Sequence, residues 1–296
     1  MNNTVSREML ETQLNDFRPE VRHAALDALL GEVERGTIQF PEPGQALNLH
    51  CHTIYSYNGY GYSPTYFAWK ARCEGLYAGG IIDFDVLDAV DEFLSSATRL
   101  GLRGAAGMEP RVYVKPFETL EINSPGEPGV AYHIGVGFVS GNVPDKALLG
   151  RFKQIARNRN LGVLERVNPY LAPAAIDYAH DVLPLTPNGN ATERHLCMAY
   201  DNKAREVFSD VEARAGFWSE KLGVDLSKVK TALDSAPDLQ GIIRSKTMKA
   251  GGVGYVRPSG PDFPELDRVN QFILESGAIP TFGWLDGTSE GEQAIE

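Results

Sequence analysis

Apolar and polar positions alternate along the chain with two different periods, and the changes of period outline the predicted elements. Residues 5 to 35 place apolar side chains every three or four positions, which predicts a helix. The stretch PEPGQ at 41 to 45 then breaks the chain, because proline and glycine interrupt regular structure. We therefore predict a helical N-terminal extension over residues 1–45.

Short apolar runs alternate with helical periods after this break. ALNLHC, GGIIDFD, RGAAGMEP and VAYHIGVGF are typical of strands, and SPTYFAWKARCEGL and VLDAVDEFLSSATRLG are typical of helices. Strands that alternate with helices predict an α/β domain with a parallel sheet, which we place at residues 46–296. Residues from about 141 to 250 have mostly helical periods and form a predicted helix-rich insertion, after which FPELDRVNQFILESG is a predicted helix and AIPTFGWLDG a strand.

Composition narrows the function classes. The net charge is −11 and the pI is near 5.1, and no cluster of Lys and Arg offers a grip on duplex DNA. No run has the length of a membrane span, and the N-terminus is unlike a signal peptide, so we expect a cytoplasmic protein without a membrane partner. The three cysteines are far apart, which argues against a disulfide framework and a cysteine zinc site.

Polar residues that can carry chemistry fall at the ends of consecutive predicted strands. The carboxyl ends of parallel strands converge on one site, so we expect these side chains to lie together. Two imidazoles and a carboxylate suit zinc or a similar divalent ion, and a carboxylate can also bridge two ions, an arrangement common in phosphate ester hydrolysis. The residues are His50, His52, Asp83, Asp85, Glu109 and His133.

Each of these residues also has an ordinary structural interpretation. An isolated HxH pair is often incidental, and a single histidine in an apolar strand, such as His133, is more often a hydrogen-bonded core residue. Asp85 can simply open the following helix. The joint position of all six residues at strand ends is what favours the metal site.

The segments LHCHTIYS, GGIIDFD, GMEP and YHIGVGF, in this order, resemble the motifs of the polymerase and histidinol phosphatase (PHP) family. NGNATERHLCMAY and the stretch from YVRPSG to FGW resemble the branch of that family that dephosphorylates nucleoside 3′,5′-bisphosphates and trims short RNA. The resemblance spans residues 46 to 287 without rearrangement. It implies a distorted (βα)7-type barrel with up to three divalent ions (zinc, manganese or iron), and the departures described below reduce our expectation to one or two.

The resemblance also implies roles for individual residues. His50, His52 and Glu109 match the ligands of one metal, and Glu109 and His133 match ligands of a second. Asp83 matches an aspartate of the family's TDHD motif, so Asp83 and Glu109 are the implied catalytic carboxylates.

This sequence departs from the family at several positions. Phe84 replaces the histidine of TDHD, Asn58 replaces an acidic residue, and Trp284 and Leu285 stand where a histidine and a proline are expected. The family's last aspartate and histidine have no counterpart, although Asp286 is a conceivable substitute, with a solvated turn residue as its alternative. We therefore expect a barrel that is incomplete at its C-terminus, and we favour a piece of a longer protein over a gap that a partner covers.

Three functions remain open from the sequence. The first is a metal-dependent phosphoesterase that hydrolyses a small phosphorylated compound or nucleotide through a metal-activated water, with Arg111, Arg194 and His195 as candidate phosphate contacts. The second is a catalytically degenerate PHP domain that retains the fold and one metal for binding or regulation. The third is a metal-dependent hydrolase of carbon–nitrogen bonds, because barrels of this kind host that chemistry too.

Overall fold

A curled sheet of six strands forms half of a barrel, with helices packed around it. The computed structural model describes residues 6–257 and 262–295. The strands are β1 (Leu47–Cys51), β2 (Ala78–Asp83), β3 (Arg103–Met108), β4 (Arg111–Tyr113), β5 (Val130–Val136) and β6 (Ile279–Phe282). The helices are α1 (Arg7–Gln13), α2 (Pro19–Glu34), α3 (Pro64–Cys73), α4 (Val90–Leu100), α5 (Lys146–Leu171), α6 (Glu193–Val207), α7 (Val211–Leu222), α8 (Leu226–Leu233), α9 (Ala236–Thr247), α10 (Leu266–Glu275) and α11 (Glu290–Ile295).

The sheet is parallel in its first half and antiparallel in its second. Strands β1, β2 and β3 are parallel, with helices α3 and α4 as crossovers, as the sequence predicts. Strand β5 runs antiparallel to both β3 and β4, and β6 runs antiparallel to β5. The prediction of a wholly parallel sheet is wrong here, because no α-helix separates β3 from β5 to return the chain.

The N-terminal extension contains two helices where the sequence predicts one. Helix α1 ends at Gln13, and α2 begins at Pro19, whose missing amide hydrogen is tolerated only in the first turn. Leu14, Leu26 and Leu29 are fully buried in the same core as the barrel strands. The guanidinium of Arg22, also fully buried, pairs with Glu92 of α4.

The helical insertion has an apolar core of its own, separate from the barrel core. Helix α5 connects the two cores, because Leu148 and Phe152 pack against the barrel, whereas Val167 and Leu171 pack in the insertion. Helices α6 to α9 form the insertion core, and the fully buried side chain of Trp218 lies in it. A large cavity lies between the two cores.

Among the described helices, none combines the length and the apolar character that crossing a membrane requires.

Candidate metal centre and cavity

Three side chains converge at the carboxyl end of the parallel strands. Nε2 of His50 lies 3.2 Å from Oε2 of Glu109, and Nε2 of His52 lies 3.1 Å from the same oxygen. One potential ligand atom of each residue lies within 4.8 Å of those of the other two. The strand-end pattern predicted this grouping, and we call it the His–His–Glu cluster.

An irregularity in β1 aims His50 at this cluster. Asn48 pairs with Gly79 and Cys51 pairs with Ile81, so β1 contains one residue more than β2 between these points. Such a bulge redirects side chains, and it needs room beneath it. Gly80 provides that room, because a Cβ atom there would lie 2.9 Å from the Cα atom of Leu49.

The electrostatics of the cluster favour an ionised carboxylate. Burial acts to raise the pKa of Glu109, but hydrogen bonds from His50 and His52 outweigh it and lower the pKa below its usual range. The hydrogen bond to Glu109 in turn raises the pKa of His50. A negative oxygen facing two imidazoles is a donor set that suits a divalent cation.

Asp83 holds the loop that carries His52. Its carboxylate accepts hydrogen bonds from the amide of Thr53 at 2.7 Å, the hydroxyl of Thr53 at 2.7 Å and the hydroxyl of Ser56 at 2.6 Å. The Ser56 proton is therefore directed to Asp83, and the Ser56 oxygen faces Nδ1 of His52 at 3.4 Å as an acceptor. A proton on Nδ1 of His52, donated to Ser56, would let Nε2 give up its hydrogen bond to Glu109 and bind an ion instead. Asp83, predicted to be catalytic, thus supports a ligand loop through bonds that occupy both carboxylate oxygens.

His133 is the predicted ligand that the structure does not bring to the cluster. Its Nε2 lies 2.6 Å from the Oδ1 of Asn270 on α10, and its Nδ1 is buried without a partner among the described residues. The neighbouring Tyr132 faces the cavity instead. Successive residues of a strand point to opposite faces of the sheet. Tyr132 therefore points to the cavity, and His133, one position later, points to the core. The prediction that His133 lies with the other strand-end residues is therefore wrong, because its ring points into the core toward α10.

The substituted positions of the PHP motifs have structural roles. The ring of Phe84 stacks on the His52 imidazole, with centroids 4.1 Å apart. Asn58 donates to the carbonyl of His52 at 2.7 Å and accepts from the amides of its own loop. Asp286 accepts from the amide and hydroxyl of Thr288 and is the cap of an exposed turn, and the described structure places it in no metal cluster.

The cavity that borders His52 has a volume of about 1170 Å³. Six cationic and four acidic side chains line it, together with aromatic rings from both the barrel and the insertion. The guanidinium groups of Arg111 and Arg159 pack over the ring of Phe263 at 4.9 and 4.7 Å. Burial and the neighbouring charge of Arg111 lower the pKa of Arg159 to about 10. Two neighbouring cations such as Arg111 and Arg159 repel each other, so an anion that enters the cavity would stabilise both.

The three predicted phosphate contacts have different positions. Arg111 and Arg194 line the cavity, and Arg111 also pairs with Glu127 at 2.7 Å. His195 is not among the lining residues described; its Nδ1 accepts the amide of Thr192 at 3.0 Å and caps helix α6. Burial lowers the pKa of His195 to about 4, so it is neutral at physiological pH.

Four cationic lining residues escaped prediction: Arg159, Arg166, Arg244 and Lys249. They lie on or just after helices α5 and α9, among other charged residues typical of a solvated helix surface. No local pattern distinguishes them, because only the folding of the insertion over the barrel makes their surface a cavity wall.

Comparisons with known proteins agree with this architecture. No family model matches the chain, and no curated protein matches it. Among solved structures, it is similar to a protein from Bifidobacterium adolescentis proposed to be a metal-dependent phosphoesterase, with 17% identity, a TM-score of 0.52 and coverage of 81% of this chain and 67% of that one. It is also similar to an amidohydrolase from Chromobacterium violaceum, determined with bound sulfate and no metal, with 16% identity, a TM-score of 0.53 and coverage of 84% and 70%. These similarities establish a shared fold with both proteins.

Proposed function

We propose that this protein is a metal-dependent phosphoesterase that hydrolyses an ester of a small phosphorylated compound or nucleotide. The observation that carries the proposal is the position of the His–His–Glu cluster beside a cavity with a surplus of cationic side chains. One feature supplies a site for a divalent ion, and the other attracts an anionic substrate.

The donor set fits a divalent ion. His50, His52 and Glu109 would hold it, and the Ser56 oxygen that faces Nδ1 of His52 would keep a proton on Nδ1 while Nε2 binds the ion. When bound, a divalent ion lowers the pKa of a coordinated water and polarises a phosphoryl oxygen.

The chain's own residues bind and orient the ester. Arg111 and Arg194 border the cavity from the barrel and from the insertion, so they can contact a phosphoryl group from two sides. The rings of Phe84 and Tyr132 also line the cavity and contact each other. They offer an apolar surface for the part of the substrate that is not the phosphoryl group. The side chain of Arg111 is only 16% exposed, so its guanidinium is weakly screened by solvent and attracts an anion more strongly than a surface arginine does.

The name of the second structural neighbour raises amide hydrolysis as an alternative. The charge of the cavity favours the phosphate ester, because a neutral amide gains little from six cationic side chains. The sulfate bound to that neighbour is tetrahedral and anionic, like phosphate. A degenerate domain that binds a metal without turnover is the other alternative, and activity measurements separate it from the proposal.

The experiment supplies the protein with Mn²⁺ or Zn²⁺ and measures release of inorganic phosphate from a panel of sugar phosphates, nucleotides and aryl phosphates. We expect turnover of at least one ester, abolished by Glu109→Gln and reduced by Arg194→Gln. Arg18→Gln, on the exposed N-terminal extension, is the matched control and should not change the rate. Metal-loaded protein that releases no phosphate but cleaves amides would support the amidohydrolase, and protein that does neither would support the binding domain.

A further inference from the structure

Asp85 has an unusual backbone conformation beside the cluster. It lies two residues beyond the end of β2, with a φ angle of 61°, and it is the one non-glycine residue of the described chain in the left-handed region. Aspartate tolerates this region better than most residues, but the conformation persists only where the surroundings impose it. Strained conformations of this kind cluster at functional sites.

The side chain of Asp85 is buried and faces the cavity. The residue is 9% exposed and lines the cavity together with His52, while its neighbour Phe84 stacks on the His52 ring. None of the described residues donates a hydrogen bond to its carboxylate, and the nearest cation, Nη2 of Arg159, is 3.9 Å away. Asp83, two positions earlier, has three donors on its carboxylate. Buried carboxyls are normally satisfied, so Asp85 is an exception that points to a ligand.

The groups around Asp85 come from three elements. Arg159 approaches from α5, Arg111 from β4, and the carboxylate of Glu109 from the end of β3. Burial raises the pKa of Asp85, the two arginines oppose that shift, and Glu109 adds to it. The net direction is upward, which favours a protonated carboxyl more than in a solvated aspartate.

We propose that Asp85 is the general acid that protonates the leaving oxygen of the phosphate ester. The inference rests on the proposed function. An oxygen of water forms a bond to phosphorus, the ester P–O bond breaks, and the leaving oxygen takes the proton of the Asp85 carboxyl. The proton released by the attacking water passes to solvent, and solvent returns one to Asp85, so the cycle needs no further reactant.

The test compares leaving groups in Asp85→Asn. Asparagine has nearly the same shape and tolerates the left-handed region, so the substitution removes only the transferable proton. For a primary alkyl phosphate, whose alkoxide needs a proton, we expect kcat to fall by about 10²- to 10⁴-fold. For p-nitrophenyl phosphate, whose phenolate leaves unprotonated, the loss should stay below about tenfold. Asp88, an exposed residue in the same loop as Asp85, accepts a hydrogen bond from Asn188, and Asp88→Asn should leave both rates unchanged.

The outcomes separate this inference from the proposed function. A wild-type protein that hydrolyses neither ester contradicts the phosphoesterase itself. An active wild type with equal losses for both esters in Asp85→Asn overturns only the role of Asp85, because a structural defect does not depend on the leaving group. If Asp85→Asn does not fold, Asp85→Gly preserves the backbone conformation. The wild type supplies a second readout, which is the dependence of its rate on the basicity of the leaving group. Proton donation predicts a weak dependence. A rate that falls steeply as the leaving group becomes more basic would overturn the role of Asp85.

Discussion

The ring of Phe84 lies on the imidazole of His52, with 4.1 Å between centroids and 28° between planes. The stack holds a predicted metal ligand in place by contact with a residue that cannot bind metal. Phe84→Ala should therefore leave His52 freer to rotate and weaken metal binding by about two- to tenfold, the value of an aromatic pair. Isothermal titration with Zn²⁺ measures the change. Tyr60→Ala, which removes an exposed ring at the tip of the preceding loop, is the control, and equal dissociation constants for the two variants would contradict the account.

Gly80 supports the bulge that positions His50. A methyl group there would lie 2.8 Å from the carbonyl oxygen of Leu49, so Gly80→Ala must displace β1. We expect a loss of about 1–3 kcal/mol in the free energy of unfolding together with weaker metal binding. Gly150→Ala on α5 is the matched control, because a methyl group there meets nothing within 4 Å. It should stabilise the helix by about 0.5–1 kcal/mol and leave the metal affinity unchanged. Unchanged metal affinity in Gly80→Ala would show that the bulge does not set the position of His50.

His195 should make the metal-free protein less stable in acid. Burial lowers its pKa from 6.5 to about 4, so between these values the unfolded chain binds a proton that the folded chain does not. The contribution of neutral His195 to the free energy of unfolding is complete above pH 6.5. It is lost as the pH falls toward 4, by about 3 kcal/mol over the full window.

His195→Gln tests this explanation. Glutamine can still accept the amide of Thr192 at the start of α6, but it does not titrate. Guanidinium denaturation at pH 7 and pH 5, with chelator present, should show a smaller loss in this variant than in the wild type. The exposed His23→Gln should behave like the wild type. An identical loss in all three proteins would place the acid sensitivity elsewhere.

Arg22 connects the N-terminal helices to the loop that follows the metal ligands. Its guanidinium donates to Glu92, to the hydroxyl of Tyr55 at 3.1 Å and to the carbonyl of Asp16 at 2.6 Å. Arg22→Met leaves Glu92 buried without its cation and should cost about 3–5 kcal/mol. Adding Glu92→Gln removes the uncompensated charge and should restore part of the loss. Urea denaturation measures both, and a cost no greater than that of Arg18→Met, whose ion pair is exposed, would contradict the prediction.

The sequence predicted the parts of the site that depend on strand ends. His50, His52 and Glu109 follow short apolar runs with clear periodicity, and their convergence follows from parallel strands. The position of His133 was not predictable in the same way. Its strand is apolar on both faces, so alternation does not tell which of Tyr132 and His133 points to the cavity.

The cavity wall depends on tertiary structure that no local pattern specifies. Arg159 and Arg244 lie on helices whose polar residues resemble an ordinary solvated face. They become cavity residues only because α5 extends from the barrel core to the insertion core and brings the two together. The antiparallel direction of β5 escaped prediction for a similar reason, since strand patterns carry no direction.

The central claim is that His50, His52 and Glu109 hold one divalent ion, and metal content per chain measures it most directly. Elemental analysis after dialysis against trace Zn²⁺ or Mn²⁺ should give about one ion in the wild type and in His133→Ala, because His133 bonds to Asn270 outside the cluster. Glu109→Gln and His52→Ala should each lose the ion. Stoichiometric metal that survives both of these substitutions, or a wild type that retains none, would contradict the account.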